Sequence, residues 1–251
     1  MKDNYLQHSR KITVAVSDTD FKARIKPSAI MGYCQDIATE HADILKVGYD
    51  DMREKNLGWV MLRMSFMVLQ APNVGDVLTV QTFPEKPKSA DVNRGYYIIN
   101  KNGETVIAAS SKWCAIDLSS HRIQRCGPIF ERFSDSDFIP TEPLANANPK
   151  IGKLPDCTEE AFTYTVQVTD LDYNVHMNNA RYGDIILNIC GMETLEKLTI
   201  SRLDINFMSQ LFAGDSFEVR KAQDGDATYI EAKKLGEETV VFRARVEWKK
   251  A

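Results

Sequence analysis

The segment Asp172-Tyr-Asn-Val-His-Met-Asn-Asn-Ala-Arg-Tyr182 sets a carboxylate, an amide and an imidazole at every second position: Asp172, Asn174 and His176. If this stretch is extended, the three side chains point the same way. The chain then turns apolar, with Tyr182, Ile185, Ile186 and Ile189 at helical spacing. The spacing predicts a helix from about Asn178–Asn179 to Gly191, a residue suited to a helix C-terminus. The first amides of a helix have no intrahelical partner. Those near Met177 to Asn179 are therefore placed to hold a developing oxyanion, aided by the helix dipole. Carboxylate, amide, imidazole and anion hole together suffice for acyl transfer or hydrolysis without a metal.

Asp and Asn ahead of a helix also serve as plain caps, and an internal repeat bears on that choice. Val16-Ser-Asp-Thr-Asp-Phe21 reappears as Val168-Thr-Asp-Leu-Asp-Tyr173, an offset of 152 from 16 to 168. The run from Arg63 to Asp76 reappears from Arg202 to Asp215, an offset of 139, and residues 103–116 resemble 236–248 more weakly. Copy one has Lys22 and Arg24 where copy two has Asn174 and His176. Capping demands are alike in both copies, so this one-sided divergence favours chemistry in the second. The shorter offset leaves "ILKVGYDDMREKN" of copy one without a counterpart. Two copies are too few for a solenoid, so a duplicated small domain is the expectation.

The elements that must position the segment follow the same plan twice. A strand comes first, with Ile12, Val14 and Val16 alternating inward in copy one and Phe162, Tyr164, Val166 and Val168 in copy two. A helix follows, starting at Pro27 in copy one with Ile30, Cys34, Ile37, Ala38, His41 and Leu45 on one face. On that face His41 reads as a buried core histidine. Four strands then run in series: 59–69, 77–83, 95–100 and 105–116, and again 198–208, 216–221, 228–233 and 239–248. This is an α+β plan, an antiparallel sheet wrapped around a central helix in each half. Residues 126–156 carry five of the nine prolines and read as an extended surface linker, part of which packs down through Ile129, Phe130, Phe133 and Phe138. The expected division is 1–125, 126–156 and 157–251.

A net charge of −4 argues against a nucleic-acid binder. No apolar run approaches the length of a membrane span, and the N-terminus lacks a signal-peptide core, so a cytoplasmic protein is expected. Five scattered cysteines without a CxxC pair read as reduced, with no disulfide framework and no zinc site. No phosphate-loop, HExxH or GxSxG motif is present.

The segment Asp172 to Tyr182 resembles the Asp-x-Asn-x-His-x-Asn-Asn-x-x-Tyr signature of the acyl-acyl carrier protein (ACP) thioesterases, tandem hotdog proteins of plant plastids and bacteria. The resemblance spans nearly the whole chain, and the absence of a transit peptide suggests the bacterial branch. It implies hydrolysis of the thioester between a fatty acyl chain and its carrier protein, with no cofactor. It implies roles for Asp172, Asn174 and His176, with Asp172 either activating water or attacking the thioester directly. The family's further acidic residue falls nearest Gln210, which cannot ionise; either Asp172 then acts as the base, or Gln210 only orients water. The acyl chain is expected in an apolar tunnel of the first half, with Met61, Met64, Phe66, Met67 and Leu69 as candidates for setting its length. The acidic carrier calls for a basic docking patch, for which Lys86, Lys88, Arg94, Arg122, Arg125 and Arg181 are available. A coenzyme A thioesterase, or a hotdog hydratase or dehydratase on acyl thioesters, is the alternative. Monomer and homodimer both remain open.

Overall fold

The protein is described by a computed structural model, over residues 5–139, 142–154 and 160–250. Strand β1 (His8–Thr13) leads through a short turn into helix α1 (Pro27–Ile44) and the six-residue helix α2 (Tyr49–Glu54). Strands β2 (Leu57–Val68), β3 (Val77–Pro84), β4 (Val92–Ile99), β5 (Thr105–Asp117) and the two-residue β6 (Ile123–Gln124) complete the first half. The second half has β7 (Glu160–Thr165), α3 (Arg181–Lys197), β8 (Leu198–Phe207), β9 (Ser216–Asp224), β10 (Ala227–Lys234) and β11 (Val240–Lys250).

All strands join one antiparallel sheet in the order β1-β3-β4-β5-β2-β8-β11-β10-β9-β7, with β6 on β5. Each half is the mirror of the other in this order. The halves meet where β2 pairs with β8, in a register running from Arg63↔Asn206 through Ser65↔Asp204 to Met67↔Arg202. The sheet therefore continues across the duplication, and α1 and α3 lie side by side against its inner face. Their approach is close: a Cβ on Gly183 would stand 2.4 Å from the Ser28 backbone nitrogen.

Helix α1 buries the face its spacing predicts, with Ile30, Cys34, Ile37, Ala38 and His41 inward and Pro27 at its first turn. These join the inward residues of β2–β5 and of the second half in one core. Burying that apolar area is the main stabilising term. A smaller cluster, including Leu45, Met52, Phe130 and Phe138, sits under α2 and the start of the linker.

Several sequence expectations are corrected. Val16 and Val168 are exposed rather than inward, because both strands end earlier and each valine opens a 3-10 turn. Helix α3 does not stop at Gly191. That glycine adopts φ 76°, which breaks the helical run, yet helical turns resume and continue to Lys197. Residues 44–56 contain α2, a helix too short to show periodicity, since only Met52 is buried. The linker is fixed rather than merely laid over the surface. Asn148 donates its amide to Ser65 Oγ (2.8 Å), Ile151 donates to Asn206 Oδ1 (2.9 Å), and Arg202 donates to the carbonyls of Ala145 and Asn146. The expected join between linker and second half, at residues 156–157, lies outside the described residues. Among the described residues no helix is long and apolar enough to cross a membrane.

Candidate active site

The segment that opens copy two's helix is a tight turn, not an extended strand. Leu171 bridges Met177. Asp172 donates its amide to the His176 carbonyl (2.9 Å), and Val175 donates to the Asp172 carbonyl (3.0 Å) at a φ of 63°. The Asp172 side chain closes the turn by accepting the Asn174 amide on Oδ1 (2.8 Å). This is an Asx turn, which Asp favours because its short carboxylate reaches the backbone two residues on.

Copy one folds the same way, 152 residues earlier. Thr19 bridges Ile25, Asp20 donates to the Arg24 carbonyl (2.8 Å), Ala23 donates back to Asp20 (2.9 Å) at φ 59°, and Asp20 Oδ1 accepts the Lys22 amide (2.8 Å). The backbones agree and the side chains diverge. Arg24 covers the Asp20 carboxylate, with Nε to Oδ2 at 2.9 Å, and donates to the Leu195 and Leu198 carbonyls at the end of α3. Lys22 adds a bond to the Glu196 carbonyl. The copy-one turn is thus consumed as a structural plug. In copy two, Asp172 Oδ2 has no partner among the described residues, and the His176 ring stands edge-on to Phe212 at 5.0 Å between centroids.

The copy-two turn opens on a cavity of about 710 Å³. Asp172, Asn174, His176 and Gln210 all line it. The structure therefore brings all four sequence candidates to one cavity, three by folding the turn and Gln210 from the loop after β8, which the Met177 amide joins at the Leu211 carbonyl. Much of the remaining lining belongs to the first half: Ala38 and Ala42 of α1, Val47, Gly48, Tyr49, Met52 and Arg53 around α2, and Leu57 to Leu62 of β2. Tyr49 of α2 packs edge-on against Tyr173 at 4.9 Å, which ties the uncounted helix to the turn.

Two further expectations change. Helix α3 begins at Arg181, and the amides of Met177 and Asn178 are taken by the carbonyls of Leu211 and Asp170, each at 2.8 Å. Of the three amides expected to hold an oxyanion, only that of Asn179 has no acceptor among the described residues, and Asn179 lines the cavity. Of the five residues expected to bound the acyl tunnel, Met61 lines the cavity. Met64 and Phe66 are core, Met67 points to the other face of β2, and Leu69 is exposed. The β-bulge after Met61 re-aims the strand, which the sequence does not display.

His41 is fully buried, as its place on α1 suggested. Its Nε2 donates to the Tyr5 carbonyl (2.9 Å), leaving Nδ1 to accept from Arg94 (3.0 Å). Burial, and then the Arg94 charge, hold its pKa down at about 4. Arg94 is therefore not part of a surface patch: it is buried and lines the cavity. The alternation Val92, Arg94, Tyr96, Ile98 marks it as inward, a signal present in the sequence. Lys88, Arg122 and Arg125 are exposed; Lys86 pairs with Asp135, and Arg181 with Asp170 and Asp184.

Family models for the N-terminal and C-terminal domains of acyl-ACP thioesterases match residues 5–130 and 155–250. A chloroplastic palmitoyl-acyl carrier protein thioesterase of Gossypium hirsutum is 27 % identical over 244 residues, covering 88 % of this chain and 58 % of that protein. An oleoyl-acyl carrier protein thioesterase of Arabidopsis thaliana is 24 % identical over 221 residues, covering 81 % of this chain and 61 % of its own length. The chain thus spans somewhat more than half of these plant relatives. Among solved structures, an acyl-ACP thioesterase from Bacteroides thetaiotaomicron superimposes with a TM-score of 0.88 at 24 % identity, covering 99 % of this chain and 100 % of that one. The 12:0-ACP thioesterase of Umbellularia californica gives 0.87 at 19 %, covering 98 % of each chain. These likenesses show the double hotdog fold, and the two family models, which together cover most of the chain, show that it belongs to the acyl-ACP thioesterase family.

Proposed function

We propose that the protein hydrolyses fatty acyl-ACP to free fatty acid and carrier thiol, in the cytoplasm and as a monomer whose two halves pair through β2 and β8. The observation that carries this reading is the shared cavity. One wall holds Asp172, Asn174, His176 and Gln210, and the first half supplies a mainly apolar lining that also carries Arg53 and Arg94. The proposed division of labour follows the boundaries 1–125 for the acyl chain, 126–156 for the linker and 157–251 for the chemistry.

In the proposed reaction the thioester carbonyl lies over Asn179, whose free amide takes the oxyanion. Gln210 cannot ionise, so it orients water while the Asp172 carboxylate removes the water proton. The hydroxide adds to the carbonyl carbon, and collapse of the adduct breaks the C–S bond. The thiolate takes up the proton that Asp172 removed, passed by way of His176, and the enzyme returns to its starting charge. Asn174 positions the carbonyl. Arg122 follows His121, which lines the cavity, so Arg122 and Arg125 are the proposed contacts for an acidic carrier.

The test is incubation with carrier protein bearing C8 to C18 chains, reading free fatty acid by mass. Release of acid and thiol from these substrates, faster than from the matching coenzyme A thioesters, is the expected result. An altered acyl group on an intact thioester would instead indicate hydratase chemistry, and faster turnover of the coenzyme A series would move the donor.

A further inference from the structure

Two arginines that the reaction above does not use line the cavity: Arg53, which is exposed and lies over the Tyr49 ring, and Arg94, which is buried. Arg94 projects inward from β4 and is 7 % exposed. It lines the cavity among residues of the first half, as do Ala38, Ala42, Val92 and Trp113. Its Nη1 donates to His41 Nδ1 (3.0 Å) and to Thr82 Oγ1 (3.3 Å). Among the described residues, Nε and Nη2 meet no acceptor, and no carboxylate pairs with the guanidinium.

Neither neighbour supplies the missing counter-charge. His41 has given its one proton to the Tyr5 carbonyl and serves Arg94 as a neutral acceptor. Thr82 also donates its hydroxyl to the Gly95 carbonyl. An arginine cannot shed its proton in a protein, Nε and Nη2 are not enclosed but open on the cavity, and setting a charge against an apolar filling is costly. A methyl-ended acyl chain lying in this trough leaves that cost in place. A chain that ends in a carboxylate removes it, because Nε and Nη2 form one edge of the guanidinium fork, the edge that takes a carboxylate through two parallel bonds.

We propose that Arg94 is a subsite for the distal carboxylate of an α,ω-dicarboxylic acyl group, presented as its half-thioester. The inference rests on the thioesterase reading for its reaction and deepens it by naming a substrate class. Hydrolysis then adds water across the C–S bond and releases a free dicarboxylate and the carrier thiol.

The experiment has two arms. In the first, kcat/KM is measured for half-thioesters of dicarboxylic acids of eight to fourteen carbons and for methyl-ended thioesters of equal length, with the wild-type chain and with Arg94→Met. The ratio of carboxyl-ended to methyl-ended kcat/KM should lie above one at the best-fitting length in the wild type, and should fall by about tenfold or more in the variant, as expected for loss of a charge-assisted pair. In the second arm, non-hydrolysable thioether analogues of both series are titrated calorimetrically, and the carboxyl-ended analogue should bind more tightly. If no thioester is hydrolysed but the carboxyl-ended thioether binds through Arg94, the reaction reading fails and the subsite stands. If methyl-ended thioesters are hydrolysed while carboxyl-ended ones are neither hydrolysed nor bound at any length, the subsite is overturned and the reaction reading stands. Should Arg94→Met not fold, the two wild-type comparisons decide alone.

Discussion

Ser65 and Asp204 occupy the same position in the two halves, 139 residues apart, and they meet: the Ser65 hydroxyl donates to Asp204 Oδ1 at 2.5 Å. They face each other at the middle of the β2–β8 pairing, with Arg63↔Asn206 and Met67↔Arg202 placed symmetrically on either side. The pseudo-twofold axis of the molecule passes between them. One polar pair thus marks the seam of the sheet. It also holds the linker, since Ser65 Oγ accepts the Asn148 amide and Asp204 holds Arg202, which grips Ala145 and Asn146. Replacing Asp204 with Ala leaves the largely buried Arg202 without its carboxylate and should cost about 3–5 kcal/mol. Ser65→Ala should cost less, about 1–3 kcal/mol. Urea unfolding curves of the two variants check both the size and the order.

Asp172 closes the turn in the structure and is the base of the proposed reaction, and one substitution separates the two roles. Asparagine keeps a side-chain oxygen for the Asn174 amide, so Asp172→Asn preserves the turn while removing the base. Turnover of acyl-ACP should fall by about a hundredfold or more, with the melting temperature unmoved. His176→Ala should lose a similar factor. Gln210→Ala should lose less, about tenfold, because an amide there only orients water. Equal losses for Gln210→Ala and Asp172→Asn would reverse the proposed assignment of the base.

Chain-length selection is expected to follow the cavity rather than the list of apolar residues on β2. Met61→Phe and Ala38→Phe fill the trough and should shift the released acids to shorter chains. Met64→Ala opens a core position away from it and should cost about 2–5 kcal/mol of stability while the product profile stays put. Fatty-acid profiles by mass, paired with unfolding curves, separate the two classes.

His41 makes the fold sensitive to acid. Its pKa is about 4 in the folded chain against an ordinary 6.5, because burial and the facing Arg94 and His8 disfavour the imidazolium. The unfolded chain therefore takes up the proton first. The stabilisation is complete above pH 6.5, is lost as pH falls from there toward 4, and changes no further below. The full loss is roughly 3 kcal/mol. His41→Gln should flatten this part of the stability profile relative to the wild type, measured by urea unfolding at pH 7.5, 5.5 and 4.5.

Much of the architecture was legible because duplication writes each element twice. The apolar face of α1 and the strand series are periodic, and periodicity survives in a linear string. The copies' divergence at Lys22/Asn174 and Arg24/His176 marks the turn of the candidate site, and in copy one the structure shows Arg24 tied to Asp20 and to the carbonyls at the end of α3. Helix α2 is not legible in the sequence because six residues with one buried side chain carry no period. Spacing does not tell which amide of the turn stays free, because one is taken by the Leu211 carbonyl from the loop after β8 and another by the Asp170 carbonyl through the fold of the turn itself.

By itself the sequence determined the repeat, the α+β plan and three polar residues of the candidate site, Asp172, Asn174 and His176, since these depend on local spacing and on comparison within the chain, while Gln210 came only from the family resemblance. Only the tertiary structure decided that the two halves share one sheet through β2 and β8, that the cavity takes its lining from both halves, and that Arg94 belongs inside it rather than on a docking surface. The reason is physical: a strand's alternation says which residues share a face, but what lies against that face is set by packing between segments far apart in sequence.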